Sequence, residues 1–381
     1  MIHIIEDNEA LHHICEELRS SDVLFVDTEF VRERSYYPQL CLIQIAGLHG
    51  EVYLIDVLAK GLDIAPLLEL IYQPHVLKVM HAARQDVEIL YHLKKDVPTP
   101  LYDTQIAAMF LGLGEQVGYA NLVQHFLQIK PCKAQQYTNW AVRPLSDEQV
   151  AYAADDVRHL RECYPLLCAA ITKRGRDAWV AEEMEALQHD AWVVAEEESL
   201  WRRIKRRSDN PHYLARLRAL CIWREQEAKR RDVPRGKIFH DDTLQEIAFS
   251  NPVTLEKLAT IRGLPSQYQR SGALFSLLEK ASELPLADCP EIGRAVRLSE
   301  PQELLRDALK IVLKVTARQH SISSGVLCDG DSLQLLSMGA AVDEVLRGWR
   351  YALFGHAAES LLAGRCSITV QQGEVSIGKF I

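Results

Sequence analysis

The sequence predicts a mixed α/β domain over residues 1–200, followed by two small all-helical domains over 207–287 and 298–381. Three observations carry this. Within the first two hundred residues, short apolar runs alternate with segments whose apolar residues recur at helical spacing. Beyond about Arg202, strand-like runs cease until the last fifteen residues. The length, 381 residues, also exceeds one ordinary domain.

The strand-like runs are Val23–Val26, Leu40–Ala46, Val52–Ile55 and Val76–Met80, and short turns between the first three predict an antiparallel meander. Helical spacing is found at Asn8–Arg19, Ile64–Ile71, Asp86–Leu93, Thr104–Leu111 and Asn121–Leu127. A longer helix runs from Ser146 towards Ala170, opened by Ser146-Asp147-Glu148-Gln149, a cap with an acidic first turn. Gly112-Leu113-Gly114 follows a helix rather than a strand, so it is a helix stop and not a phosphate loop. Strands flanked by helices form an α/β sandwich. In the second part, Asn210-Pro211 starts a helix with Leu214, Leu217, Leu220 and Trp223 on one face, and Pro234-Arg235-Gly236 ends it. Shorter helices follow at Asp242–Ala248, Thr254–Ala259 and Tyr268–Leu284, then a linker at Pro285–Pro290. A second helical group begins at Pro301, and Gln371-Gln372-Gly373-Glu374 joins two short strands into a terminal hairpin.

Composition narrows the function. With 48% hydrophobic and 25% charged residues the chain is globular, and its apolar runs are too short to span a bilayer. Nine cysteines without a C-x-x-C pair read as reduced thiols of a cytoplasmic protein, not as zinc or disulfide frameworks. A basic leader followed by an apolar stretch is absent from the N-terminus. The net charge of −9 hides an asymmetry: Arg202 to Lys237 holds thirteen Lys or Arg against four Asp or Glu. That stretch is either a solvated helix face or a grip for phosphates.

The chemistry gathers on carboxylates. Asp27 and Glu29 end the first strand, and residues two apart on a strand share a face. Held that close, like charges raise one another's pKa unless a cation sits between them. The plainer alternative is a solvated acidic turn. Asp86 follows His81-Ala82-Ala83-Arg84-Gln85 at a strand-to-helix turn, and Asp103 before Thr104-Gln105 reads first as an N-cap. Tyr152 and Asp156, four apart on the long helix, share a face, with Asp155 as a rival. Taken together, Asp27, Glu29, Asp86 and Asp156 offer hard oxygen ligands suited to Mg²⁺ or Mn²⁺. Two such ions would activate a water and stabilise the leaving oxygen of a phosphoryl displacement.

These segments resemble the three exonuclease motifs of the DEDD superfamily in its tyrosine-bearing branch, and most closely the ribonuclease D family. The first motif is Asp27-Thr28-Glu29-Phe30, continued by Tyr36-Tyr37-Pro38-Gln39-Leu40 and Leu42-Ile43-Gln44. The second is His81-Ala82 through Asp86, and the third follows Trp140 and Arg143-Pro144-Leu145-Ser146 to end in Tyr152-x-x-x-Asp156-Val157. The sister branch places a histidine five residues before its last Asp, where this chain has Ala151 or Val150. Asn139 stands before Trp140 where the family often has Asp.

The resemblance implies an RNase H-like catalytic domain followed by HRDC-like domains. It makes Asp27, Glu29 and Asp156 ligands of a first metal ion, with Asp27 bridging to a second that Asp86 holds largely through water. Tyr152 would align the attacking water, and the register selects Asp156 over Asp155. The implied activity is 3′-to-5′ exoribonuclease, releasing nucleoside 5′-monophosphates from single-stranded 3′ ends of precursor tRNA. Phe30, Tyr36 and Tyr37 are candidates to stack on terminal bases, with core packing as the alternative. Lys133 and Arg143 are candidates for phosphate contacts. A monomer is the plain expectation. The rival functions are a DNA-directed exonuclease of the same chemistry and a non-catalytic RNA-binding adaptor.

Overall fold

A computed structural model describes residues 1–189, 199–291 and 297–379. The stretches 190–198 and 292–296, beside the expected domain limits at 200 and 298, lie outside the described residues. The chain divides into two compact units. The first comprises Met1–Glu29, Cys41–His189 and the described part of Arg297–Ile381, and the second joins Phe30–Leu40 to the described part of Asp190–Val296.

The first unit is built on a six-stranded sheet in the order β1-β4-β3-β2-β5-β6. Its strands are β1 (Ile2–Ile5), β2 (Val23–Val31), β3 (Gln39–Gly47), β4 (Val52–Ile55), β5 (Leu77–Met80) and β6 (Leu101–Asp103). The β3/β4 pair is antiparallel, whereas β1/β4, β2/β5 and β5/β6 are parallel. Leu24, Phe25, Val26, Ile43 and Ile45 are fully buried, so the apolar runs that mark strands in the sequence also form the sheet's core. Helices α1 (Asn8–Leu18), α2 (Ala65–Ile71), α3 (Arg84–Lys94), α4 (Thr104–Met109), α5 (Tyr119–Leu127), α6 (Asp147–Lys173) and α7 (Asp177–Leu187) complete the nuclease part. Ser146 opens α6 with the capping box read from the sequence: Gln149 N–H donates to its hydroxyl at 3.2 Å and its own N–H donates to Gln149 Oε1 at 3.0 Å.

The core of the C-terminal helical group is continuous with that of the nuclease part. Leu309, Val312 and Leu313 of a helix at Glu300–His320, with Trp349 and Phe354, share one apolar cluster with Phe110, Leu167, Ile171, Val180 and Met184. Trp349 lies 4.9 Å from Phe110 and stacks 5.9 Å from Trp179. Arg350 pairs with Glu183 at 2.5 Å. Gly112 is needed at this join. Its φ of +80° suits glycine, and an added Cβ would lie 2.6 Å from the Ser321 carbonyl oxygen. The terminal hairpin pairs Cys366–Gln371 with Glu374–Lys379.

The second unit is helical. α8 (Pro211–Arg231) starts at Asn210, whose side chain accepts from Tyr213 N–H, and it packs Leu214, Leu217 and Leu220 inward. Helices at Asp241–Ser250 and Gly272–Ser282 cover that face. Many of its cations are already engaged. Arg206, Arg207, Arg224, Arg230 and Arg235 are ion-paired with carboxylates, and Arg216 is buried, donating to the Ala248 carbonyl at 2.8 Å. Asp241 and Glu246, which lie outside the basic stretch, pair with Arg224 and Arg207 and reduce the positive charge that stretch offers a partner. Arg202, Arg203 and Lys205 are exposed beside a concavity of about 510 Å³. No helix among the described residues is long and apolar enough to cross a membrane.

Candidate active site

β2 carries Asp27 and Glu29 towards its C-terminal end, and β5 runs parallel beside it, pairing Phe25 with Val79. Sites in open α/β sheets gather at such strand ends. Asp86 enters from the first turn of α3, just past β5. Asp156 arrives from the middle of α6. Carboxylate oxygens of Asp27, Glu29 and Asp156 all lie within 4.8 Å of one another. Asp86 stands beside this triad, accepting a hydrogen bond from Thr28, the residue between the first two acids.

The four acids are strained against one another. Burial among protein atoms, followed by the charges of Asp86, Asp156 and Glu29, holds Asp27 well above the usual carboxylate range. Glu29 is pushed up to about 9 by burial and then by Asp156 and Asp86. Burial also raises Asp86 to about 7, against the opposing hydrogen bond from Thr28, and Asp156 to about 8, with help from Asp155. A divalent cation among hard oxygens relieves both desolvation and repulsion, and the donor set holds neither thiolate nor imidazole. The residues therefore fit Mg²⁺ or Mn²⁺ better than zinc.

Tyr152 and Asp156 share a hydrogen bond, as residues four apart on a helix allow. Asp155 is instead paired with Arg158 at 2.6 Å. Trp140, fully buried, lies 6.0 Å from the Tyr152 ring and backs it. The loop bearing Trp140 is anchored by Arg143. Its guanidinium donates twice to the buried Asp56, at 2.6 and 2.7 Å, and to the carbonyls of Trp140, Val142 and Cys41. All five N–H donors are thus committed inside the chain, which makes Arg143 an anchor and leaves no donor for a phosphate. Arg143→Ala should destabilise the first unit by about 3 kcal/mol, because Asp56 would be left buried and unpaired. Arg143→Lys should recover less than half, since a point charge lacks the fork. Chemical denaturation of the three proteins measures this.

Other expected contacts fall differently. Lys133 is exposed on the loop before Trp140, and Phe30 is half-buried. Tyr36 is not displayed to a ligand: its ring packs on the core of the helical unit and its hydroxyl donates to Glu225. Tyr37 packs edge-on against it at 5.0 Å.

Three supporting residues act through long-range contacts that carry no sequence signal. Asp103 caps α4, as its sequence context suggests, through Gln105 N–H at 2.8 Å, but also accepts from Ala82 and Ala83 N–H at 3.0 and 2.9 Å. It thereby fixes the turn that launches Asp86, where Ala82 has a φ of +55°. Tyr119 donates to the carbonyls of Asp155 and Asp156 at 2.8 and 2.5 Å and so holds that turn of α6. Thr28 ties β2 to α3.

This arrangement defines a metal-dependent 3′-5′ exonuclease of the RNase H-like DEDD fold, and a 3′-5′ exonuclease family model matches residues 2–173. An HRDC domain model matches residues 213–275. Ribonuclease D of Zymomonas mobilis subsp. mobilis is 39% identical over 380 residues, covering 98% of this chain and 97% of that protein. Ribonuclease D of Granulibacter bethesdensis is 40% identical over 379 residues, covering 98% and 96%. The chain belongs to the ribonuclease D family. Among solved structures, Escherichia coli RNase D, described as an exoribonuclease involved in structured RNA processing, aligns with a TM-score of 0.80 at 28% identity, over 96% of this chain and 99% of that one.

Proposed function

We propose that this enzyme removes nucleotides one at a time from single-stranded 3′ ends of structured RNA, precursor tRNA foremost, and releases nucleoside 5′-monophosphates. The observation that carries the reading is the carboxylate triad joined to the Tyr152–Asp156 pair. Asp27, Glu29 and Asp156 would hold one Mg²⁺ or Mn²⁺, with Asp27 shared with a second ion served by Asp86. When bound, such ions lower the pKa of an attacking water and neutralise charge on the leaving oxygen. Tyr152, whose hydroxyl pKa is raised by burial and by the neighbouring Asp156, stays protonated and orients the water. Asp103, Tyr119 and Thr28 hold the turns from which the acids project. Phe30 and the exposed Lys133 meet the RNA end, and Arg202 and Lys205 add phosphate contacts on the helical unit.

Support for RNA comes from the family and from the description of the Escherichia coli relative. The same reading makes the protein a cytoplasmic monomer, with 1–200 as exonuclease domain and 207–287 and 298–381 as HRDC-like domains. The test is a matched assay in Mg²⁺ and Mn²⁺ on a stem with a 3′ tail, made once as RNA and once as DNA. The RNA tail should be shortened at least about tenfold faster, a difference of about 1.4 kcal/mol in barrier, with digestion stopping at the stem. Faster DNA cleavage would overturn the substrate assignment, and binding without cleavage would support an adaptor.

A further inference from the structure

The connection between β2 and β3 folds as part of the helical unit, and its attachment is more elaborate than a strand connection requires. The backbone N–H groups of Tyr36 and Tyr37 both donate to Asp232 Oδ1 at 3.0 Å. Ser35 donates its hydroxyl to the Tyr37 carbonyl at 2.6 Å, which tightens the turn. The Tyr36 hydroxyl donates to Glu225, a buried carboxylate that Arg235 pairs at 2.6 Å. The Lys229 ammonium sits 5.7 Å from the Tyr36 ring centroid.

Asp232 is an unexpected residue for its position. It is the C-cap of α8, in the left-handed region with φ +47°. Glycine or asparagine closes a helix there at less cost, and a carboxylate faces the negative end of the helix dipole. The two N–H donors from residues 36 and 37 supply the compensation. The strap they belong to begins at Phe30, one peptide bond after Glu29, and β2 runs without interruption from Val23 to Val31.

We infer that Asp232 is a positioning residue for RNA binding: by pinning the strap at Tyr36 and Tyr37 it sets how Phe30, at the head of the same strap, meets the RNA 3′ end. Resting on the function proposed above, this makes the helical unit more than a phosphate grip. Charge-assisted hydrogen bonds to backbone are among the stronger single contacts, and Asp232→Ala removes two at once.

The test uses the full chain with Mn²⁺ and two substrates, a 3′-tailed RNA stem and the p-nitrophenyl ester of thymidine 5′-monophosphate, which is too small to need the strap. Asp232→Ala should raise KM for the RNA about tenfold, about 1.4 kcal/mol, while kcat/KM for the ester changes less than about twofold. Asp232→Asn, whose amide oxygen still accepts both N–H groups, should stay within about threefold of wild type on RNA. Tyr36→Phe, which keeps the packing and loses only the bond to Glu225, should fall between, and it carries the test if Asp232→Ala does not fold. Unchanged RNA kinetics in Asp232→Ala and Tyr36→Phe, an equal loss on both substrates, or an Asn variant as impaired as the Ala variant would each overturn the assignment. Hydrogen exchange at the Tyr36 and Tyr37 amides is a readout independent of substrate. Faster exchange in Asp232→Ala supports the pin even if the wild-type chain ignores RNA, and unchanged exchange refutes it even if RNA is degraded.

Discussion

Asp27→Asn is expected to lower kcat by at least about 10³-fold, because the residue is central to the charge that the reaction requires. Burial and then three neighbouring carboxylates, Asp86, Asp156 and Glu29, all act on Asp27. An amide keeps its shape but supplies no negative charge to a cation. The variant should fold, since removal of one charge relieves repulsion among the other three acids. Without metal it should therefore melt above the wild type, and Mg²⁺ or Mn²⁺ should raise its melting temperature less than that of the wild type. Steady-state hydrolysis and thermal melts with and without metal check both halves. Undiminished turnover in the variant would remove Asp27 from the metal-binding set.

The second large effect is a pH dependence of stability that metal removes. Burial and mutual repulsion push Glu29, Asp86 and Asp156 up to about 9, 7 and 8 in the fold, and Asp27 is raised well above the usual carboxylate range. Each lies above its unfolded value near 4, so between about pH 4 and pH 9 the folded state holds more protons than the unfolded chain. The sign follows: the metal-free first unit is most stable at low pH within this window and loses stability as pH rises through the folded pKa values. In chelator the loss should reach several kcal/mol, on the order of 10 °C in melting temperature. Excess Mg²⁺ should flatten the curve, because the cation replaces the protons. A metal-free melting curve that does not fall between pH 5 and pH 9 would show that the four carboxylates are better solvated than their surroundings indicate.

The acids themselves were legible because each sits in a local pattern: a strand end, a strand-to-helix turn, a helix face. The larger strands were legible for the same reason, since their apolar runs are long enough to stand out. β1 and β6 were not: His3 splits the apolar run of the first, and the second is only Leu101-Tyr102-Asp103. The meander expectation held for the β3/β4 pair, but nothing local signals that β5 pairs parallel to β2. What supports the acids was invisible because it is long-range. Asp56 lies 87 positions from Arg143, and Glu225 lies 189 from Tyr36. An aromatic after an acidic motif reads equally well as a base-stacking residue or as an anchor, and for Tyr36 only the fold decides. Likewise the basic stretch gave its charge but not its pairing, and the partners Asp241 and Glu246 lie beyond it in sequence.

The shared core between the C-terminal helices and the nuclease part has a consequence for the life of the polypeptide on the ribosome. Phe110 at the end of α4, Leu167 and Ile171 of α6 and Val180 of α7 gain the full cover of their cluster only once residues beyond 300 have emerged. The catalytic sheet is complete by Asp103, yet the face behind it waits for nearly two hundred further residues. A chain cut short in its last quarter would expose that apolar face to proteases and chaperones. A variant that lacks the helices beyond residue 300 should therefore be degraded faster than one that keeps them.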